Sequence, residues 1–132
     1  MVLVQDLSPR IEEAGLTKSE LQADVEQRLR WAGIRVLGRE EWRGTTGWPV
    51  LYVQVSLHTP HKVDIFSLYI HVQLFEHVAL ERDPTIKIPA LTWAPTAYVG
   101  TSGKRYLKRG IQHQVRDQVD QFIAAYRSAN PK

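Results

Sequence analysis

The stretch from Phe66 to Leu74 alternates without a slip, and no other feature of the chain constrains its fold as much. Phe66, Leu68, Ile70, Val72 and Leu74 hold one phase, while Ser67, Tyr69, His71 and Gln73 hold the other. Side chains on a strand point alternately to opposite faces, so this is a strand with one apolar and one mixed face. The surrounding run, 63–80, is longer than a typical strand and belongs at the centre of a sheet with shorter neighbours. Glu76 is the misfit, since it falls in the core phase between Leu74 and Val78. Either the strand projects past its helical cover there, or a bulge shifts the phase.

Val2-Leu3-Val4 is a short β-branched and aliphatic run, read as a first strand, and Ser8-Pro9 favours a turn. Thr17 and Glu20 then have the spacing of a capping box, and Leu16 and Leu21 that of a hydrophobic staple. Leu21, Val25, Leu29 and Ala32 form the buried stripe of the helix, and Gly33 can take a left-handed stop that sets Ile34 against Leu29. Ile34 to Leu37 reads as a second strand. Arg39 to Trp42 reads as one helical turn before a Gly-bearing loop bracketed by Trp42 and Trp48. Leu51, Val53, Val55 and Leu57 alternate in the next strand, and the turn-rich Thr59-Pro60-His61-Lys62 joins it to the long one as a hairpin. Arg82 to Thr85 makes the next turn. Ala90 to Val99 returns as a strand with Leu91, Trp93, Ala97 and Val99 in phase, where Pro95 requires an edge or a bulge. The chain closes on an amphipathic helix, 104–129, with Leu107, Ile111, Val115, Val119, Phe122 and Tyr126 on one face and Asn130-Pro131 as its stop.

With 132 residues and no internal repeat or linker, the chain reads as a single domain, 1–132. The expected fold is α+β and two-layered: one mostly antiparallel sheet of about five strands, in the order β-α-β-β-β-β-α, with both helices on one face. Centring the hairpins on Thr59–Lys62 and on Asp83-Pro84 sets Leu51, Val53 and Val55 opposite Ile70, Leu68 and Phe66. It also sets Trp93 opposite Leu74 and Ala97 opposite Ile70. These registers align Tyr52, Tyr69 and Tyr98 in a row on the outer face, with His71 and Phe75 nearby. The row is a candidate interaction surface, because large exposed apolar patches are uncommon on monomers.

The chain has no cysteine, which removes disulfides and thiolate chemistry. No apolar run approaches the length of a membrane span. A net charge of +3 is too small to imply a nucleic-acid partner. Its basic character is local: from residue 104 onward seven Lys/Arg face two acids, a balance of +5 that leaves −2 for the rest. Lys104, Arg105, Lys108 and Arg109 open the last helix, where the dipole disfavours cations, and so form a candidate anion site. The structural alternative is pairing with acids such as Asp117 or those of the first helix. Gly100 to Lys104 resembles a phosphate loop but fails it twice, with Tyr98 where a Gly is needed and Arg105 where Ser or Thr is needed. It reads as a turn ending in a Ser or Thr cap. The five histidines do not converge, so no metal, cofactor or catalytic residue is assigned.

The run GLTKSELQADVEQRLRWAGIRVL, the Trp-containing loop, LYVQV and the ending DQVDQFIAAYRSANPK resemble a little-characterised family of small bacterial proteins of unknown function. The resemblance implies a signal peptide in the gene, a mature chain starting near Val2, and a periplasmic or secreted setting, with the cytoplasm the alternative if no signal is removed. The element order is also similar to envelope accessory domains such as the lipopolysaccharide-assembly lipoprotein and the N-terminal domain of the Tol-system propeller protein. The expected function is a non-enzymatic binding module that meets a protein partner, or another copy, through Tyr52, Tyr69, His71, Phe75 and Tyr98. The alternatives are an anion or nucleic-acid binder using the basic run and, more remotely, a small hydrolase with the Trp42–Trp48 loop as its lid.

Overall fold

In the computed structural model, which describes residues 1–60 and 64–131, the fold is α+β. The sheet has five strands: β1 (Val2–Val4), β2 (Val50–His58), β3 (Ile65–Leu80), β4 (Asp83–Trp93) and β5 (Tyr98–Gly103). The helices are α1 (Pro9–Glu13), α2 (Lys18–Trp31), α3 (Arg39–Arg43) and α4 (Leu107–Ala129), the last preceded by a 3₁₀ turn, Lys104–Tyr106. β1 lies parallel to β2, and every other pairing is antiparallel. β4 and β5 share the far edge of β3, one on each half of that 16-residue strand. α2 and α4 pack against the inner face.

The ends of α2 form as its residues dictate. Thr17 Oγ1 accepts the Glu20 N–H at 3.1 Å, and Leu16 and Leu21 are both fully buried beneath this cap. At the other end Gly33 takes φ +80°, Ile34 N–H bonds Leu29 C=O, and Gly33 N–H bonds Arg30 C=O, the two bonds of a Schellman ending. α2 and α4 run parallel and are joined by three ion pairs: Glu20–Lys108, Asp24–Arg116 and Arg28–Asp120. Phe66, Leu68, Ile70 and Val72 are buried against them, as the alternation requires.

Several expectations are corrected. Ile34 to Leu37 forms no strand; the chain leaves the Schellman turn as irregular backbone with Ile34 still buried. Ser8 caps a short helix, α1, that sends Ile11 into the core, where only a turn was expected. The β2–β3 register is four residues from the expected one: Leu51, Val53 and Val55 face Leu74, Val72 and Ile70. An even shift keeps the core phase, so the apolar pattern could not detect it. The turn expected at Thr59–Lys62 lies partly outside the described residues, since His61 and Lys62 are not among them. The second turn is tighter than expected, with Leu80 pairing Asp83, and two irregularities along β4 restore Trp93 opposite Leu74.

The strand expected over 90–99 is broken. β4 ends at Trp93, β5 begins at Tyr98, and among the described residues none pairs with His71, Val72 or Gln73 along that edge. Gln118, a fully buried residue of α4, fills the gap from inside. Its Oε1 accepts the Val72 N–H at 2.7 Å, and its Nε2 donates to Ile70 C=O at 2.8 Å. From the outer side His71 Nε2 donates to Pro95 C=O at 2.9 Å, which leaves Nδ1 to accept the Tyr69 hydroxyl at 3.2 Å. Gly100 to Gly103 is strand rather than turn, and no side chain caps the 3₁₀ turn that follows.

Candidate functional site

The sheet outgrows its helical cover. Sixteen residues of β3 span roughly 50 Å, whereas the 23 residues of α4 span roughly 35 Å. Inner-face burial falls accordingly from complete at Val72 to partial at Leu74, Glu76 and Val78. Where cover runs out, a cavity of about 600 Å³ opens between the sheet and the C-terminal ends of α2 and α4. Local structure supplies each wall. The Schellman turn delivers Ile34, Val36 and Leu37 along one side, and α4 presents Phe122, Ala125, Tyr126 and Ala129 at helical spacing on another.

The sheet wall depends on a bulge. Leu74 pairs with Trp93 but Phe75 with Leu91, so Thr92 is an extra residue on β4. The bulge turns Trp93 inward, where its ring meets Phe122 edge-on at 5.3 Å, and leaves Leu91 on the outer face. Phe122 and Tyr126 continue the aromatic wall with ring centroids 6.2 Å apart. The polar groups of the cavity are few. Arg35 is paired with Glu41. The Met1 amino group donates to Pro49 C=O at 3.0 Å, and burial pushes its pKa below the ordinary value against a smaller opposing pull from Glu26. Glu76 sits on the wall, half-buried, with no hydrogen bond or ion pair among the described residues. Of the two explanations anticipated for Glu76 the first applies: β3 outruns its cover, while the bulge beside it is on β4 and leaves Glu76 in the core phase.

The five outer-face candidates do not form one site. Tyr98 pairs with Ile70 and therefore lies on the inner face, packed on the core and lying over Gly100. Tyr52 pairs with Gln73 and stacks edge-on with Phe75 at 6.3 Å, whereas Tyr69 and His71 form a separate pair further along. Gln54, opposite His71, and Gln73 lie between them. The expected tyrosine row is thus overturned, because the strand break at Pro95 moves Tyr98 to the opposite face. Trp48 and His77, 4.6 Å apart, extend the Tyr52–Phe75 cluster, and Gly47 C=O accepts the His77 N–H. The Trp42–Trp48 loop stands on this outer side; neither tryptophan lines the cavity.

The basic run is also divided. Lys108 Nζ reaches Glu20 of α2 at 3.1 Å, the pairing with first-helix acids considered above. Arg105 lies over the Tyr106 ring at 5.6 Å. Arg109 lines a shallow depression with Tyr98, Tyr106 and His113, and Lys104 is exposed. Among the described residues no three His, Asp or Glu side chains gather as a metal site would need, and no helix is long and apolar enough to cross a membrane. Comparison with known proteins adds no relationship: no family model matches the chain, and no curated protein matches its sequence.

The cavity was not legible in the sequence. Its signals were Glu76 in a core phase and a β3 pattern too long for its cover; the Thr92 bulge left none.

Proposed function

We propose that the protein is a non-enzymatic binding module that takes an apolar ligand into the cavity beneath the end of its sheet. The observation that carries this reading is the cavity itself: about 600 Å³, open to solvent, and walled mainly by aliphatic and aromatic side chains. Small-molecule sites fall in the range of roughly 300–1,000 Å³, with a few polar groups on apolar walls. The outer face supports an interaction site less well, since its aromatic residues are split by Gln54 and Gln73 and Tyr98 is not on it. The basic run supports an anion site less well, since Lys108 is paired with Glu20. Among the described residues no serine or histidine lines the cavity, and the Thr92 hydroxyl faces Leu74 C=O, so a hydrolase is supported less well. The periplasmic or secreted setting implied by the resemblance belongs to the same proposal, and fractionation of the producing bacterium reads it.

The test is a fluorescence titration with N-phenyl-1-naphthylamine, a neutral apolar dye. Saturable binding at one site is expected, and it should be lost on filling the cavity by Ala125→Phe or Ala129→Phe in variants whose circular dichroism is native. A dye that does not saturate on the wild type, or that binds both filled variants unchanged, sinks the reading.

A further inference from the structure

Resting on the cavity reading, we infer that the ligand carries a cationic group on its apolar body and that Glu76 is the anchor for that group. Glu76 occupies a core-phase position of β3, opposite Ala90 and one inner-face step beyond Leu74. Glu76 is half-buried on an otherwise apolar wall, and among the described residues no cation or hydrogen-bond donor meets its carboxylate, which is therefore free to meet a charge on a ligand. The other charges of the cavity are already engaged. Arg35 is neutralised by Glu41, and the Met1 amine, on the β1 side two strands away, is bonded to Pro49 C=O.

The surroundings of Glu76 suit the same charge. Trp93 pairs with Leu74, the inner-face neighbour of Glu76, and Phe122 and Tyr126 extend its aromatic wall. Aromatic faces attract cations, most strongly at tryptophan and in desolvated sites. An ammonium group between carboxylate and rings is therefore compensated twice, while an anionic head would meet Glu76 without relief. The ligand class is an amine or quaternary ammonium bearing an alkyl or aryl body.

The experiment displaces the neutral dye with three probes that share a ten-carbon chain, decyltrimethylammonium, decanol and decanoate, each below its micellar or solubility limit. The wild type should prefer the ammonium to the alcohol by about fivefold, the worth of one partly exposed charge pair, and the preference should shrink as salt is raised. Within each variant the ratio to decanol cancels any general loss of folded protein. That ratio should fall to about one in Glu76→Gln, and the preference should pass to decanoate in Glu76→Lys. Equal displacement by all three probes in the wild type, or an ammonium preference that survives Glu76→Gln, overturns the cationic ligand and leaves the cavity standing. Failure of the dye itself to bind overturns both.

Discussion

Replacing Gln118 with Met should be among the most destabilising single changes available in this chain. The two side chains are close in length, so the packing of α4 on β3 is kept, but the methionine can neither donate to Ile70 C=O nor replace the 2.7 Å bond from Val72 N–H. The Val72 amide lies where β4 has ended and β5 has not begun, so no strand takes it, while Ile70, the last residue paired with β5, loses its bond from the Gln118 amide. A buried polar group left unpaired costs about 1–3 kcal/mol, which is the loss expected from the orphaned Val72 amide alone. That is a large part of the roughly 5–15 kcal/mol that holds a domain folded. Urea unfolding followed by circular dichroism should show a lower midpoint at unchanged slope. Hydrogen exchange should show the Val72 amide losing protection first. Gln118→Glu supplies a control, because the protonated carboxyl can still donate to Ile70. Burial raises such a group's folded pKa above its unfolded value near 4.3, so the variant should be most stable below that pH and weaken as pH rises. A loss under about 1 kcal/mol in Gln118→Met, with Val72 still protected, would refute the account of the strand break.

Three further outcomes follow from particular contacts. The Arg28 guanidinium, bonded to Asp120 at 2.6 and 2.8 Å, holds that carboxyl below the usual range. A depressed carboxylate stabilises the fold above its unfolded pKa of about 3.9 and loses that contribution as pH falls through the folded value. Asp120→Asn should therefore cost at most about 1 kcal/mol near pH 7, since the pair is partly exposed, and that cost should fade as pH drops through the depressed folded value, as read by thermal melts across pH. A Cβ on Gly100 would run into the Tyr98 ring; Gly100→Val should cost roughly 1–3 kcal/mol, and the penalty should shrink in a Tyr98→Ser background, a non-additivity that a double-mutant cycle measures. Gly33→Ala places a side chain at φ +80° and should lower stability by about 1–2 kcal/mol in urea titrations.

Where local chemistry decided the structure, the sequence was enough to read it. The Thr17 cap and the Gly33 stop depend on a few neighbouring residues, and β3 announces itself by nine residues of alternation. Long-range choices were hidden. A four-residue slip of β2 on β3 preserves every apolar contact pattern, so hairpin register cannot be told from phase alone. The break at Pro95 was marked by the proline, but what fills it was not: Gln118 looks like an ordinary polar residue at the border of an amphipathic stripe. Tyr98 was placed on the wrong face because the chain leaves the ladder for four residues, and the residue that rejoins Ile70 is Tyr98 rather than Ala97. The cavity was illegible for a related reason. It arises from the difference in reach between one strand and the helices above it, at which only Glu76 and the length of the β3 pattern hinted.

The most direct test of the binding site is to map amide chemical shifts while N-phenyl-1-naphthylamine is titrated into the protein. The account predicts that the largest changes cluster at Leu74, Trp93, Phe122 and Ala125, with Tyr69 and Val99 on the outer face unmoved. Changes centred on Tyr69, Val99 and Phe75, with the cavity residues silent, would contradict it.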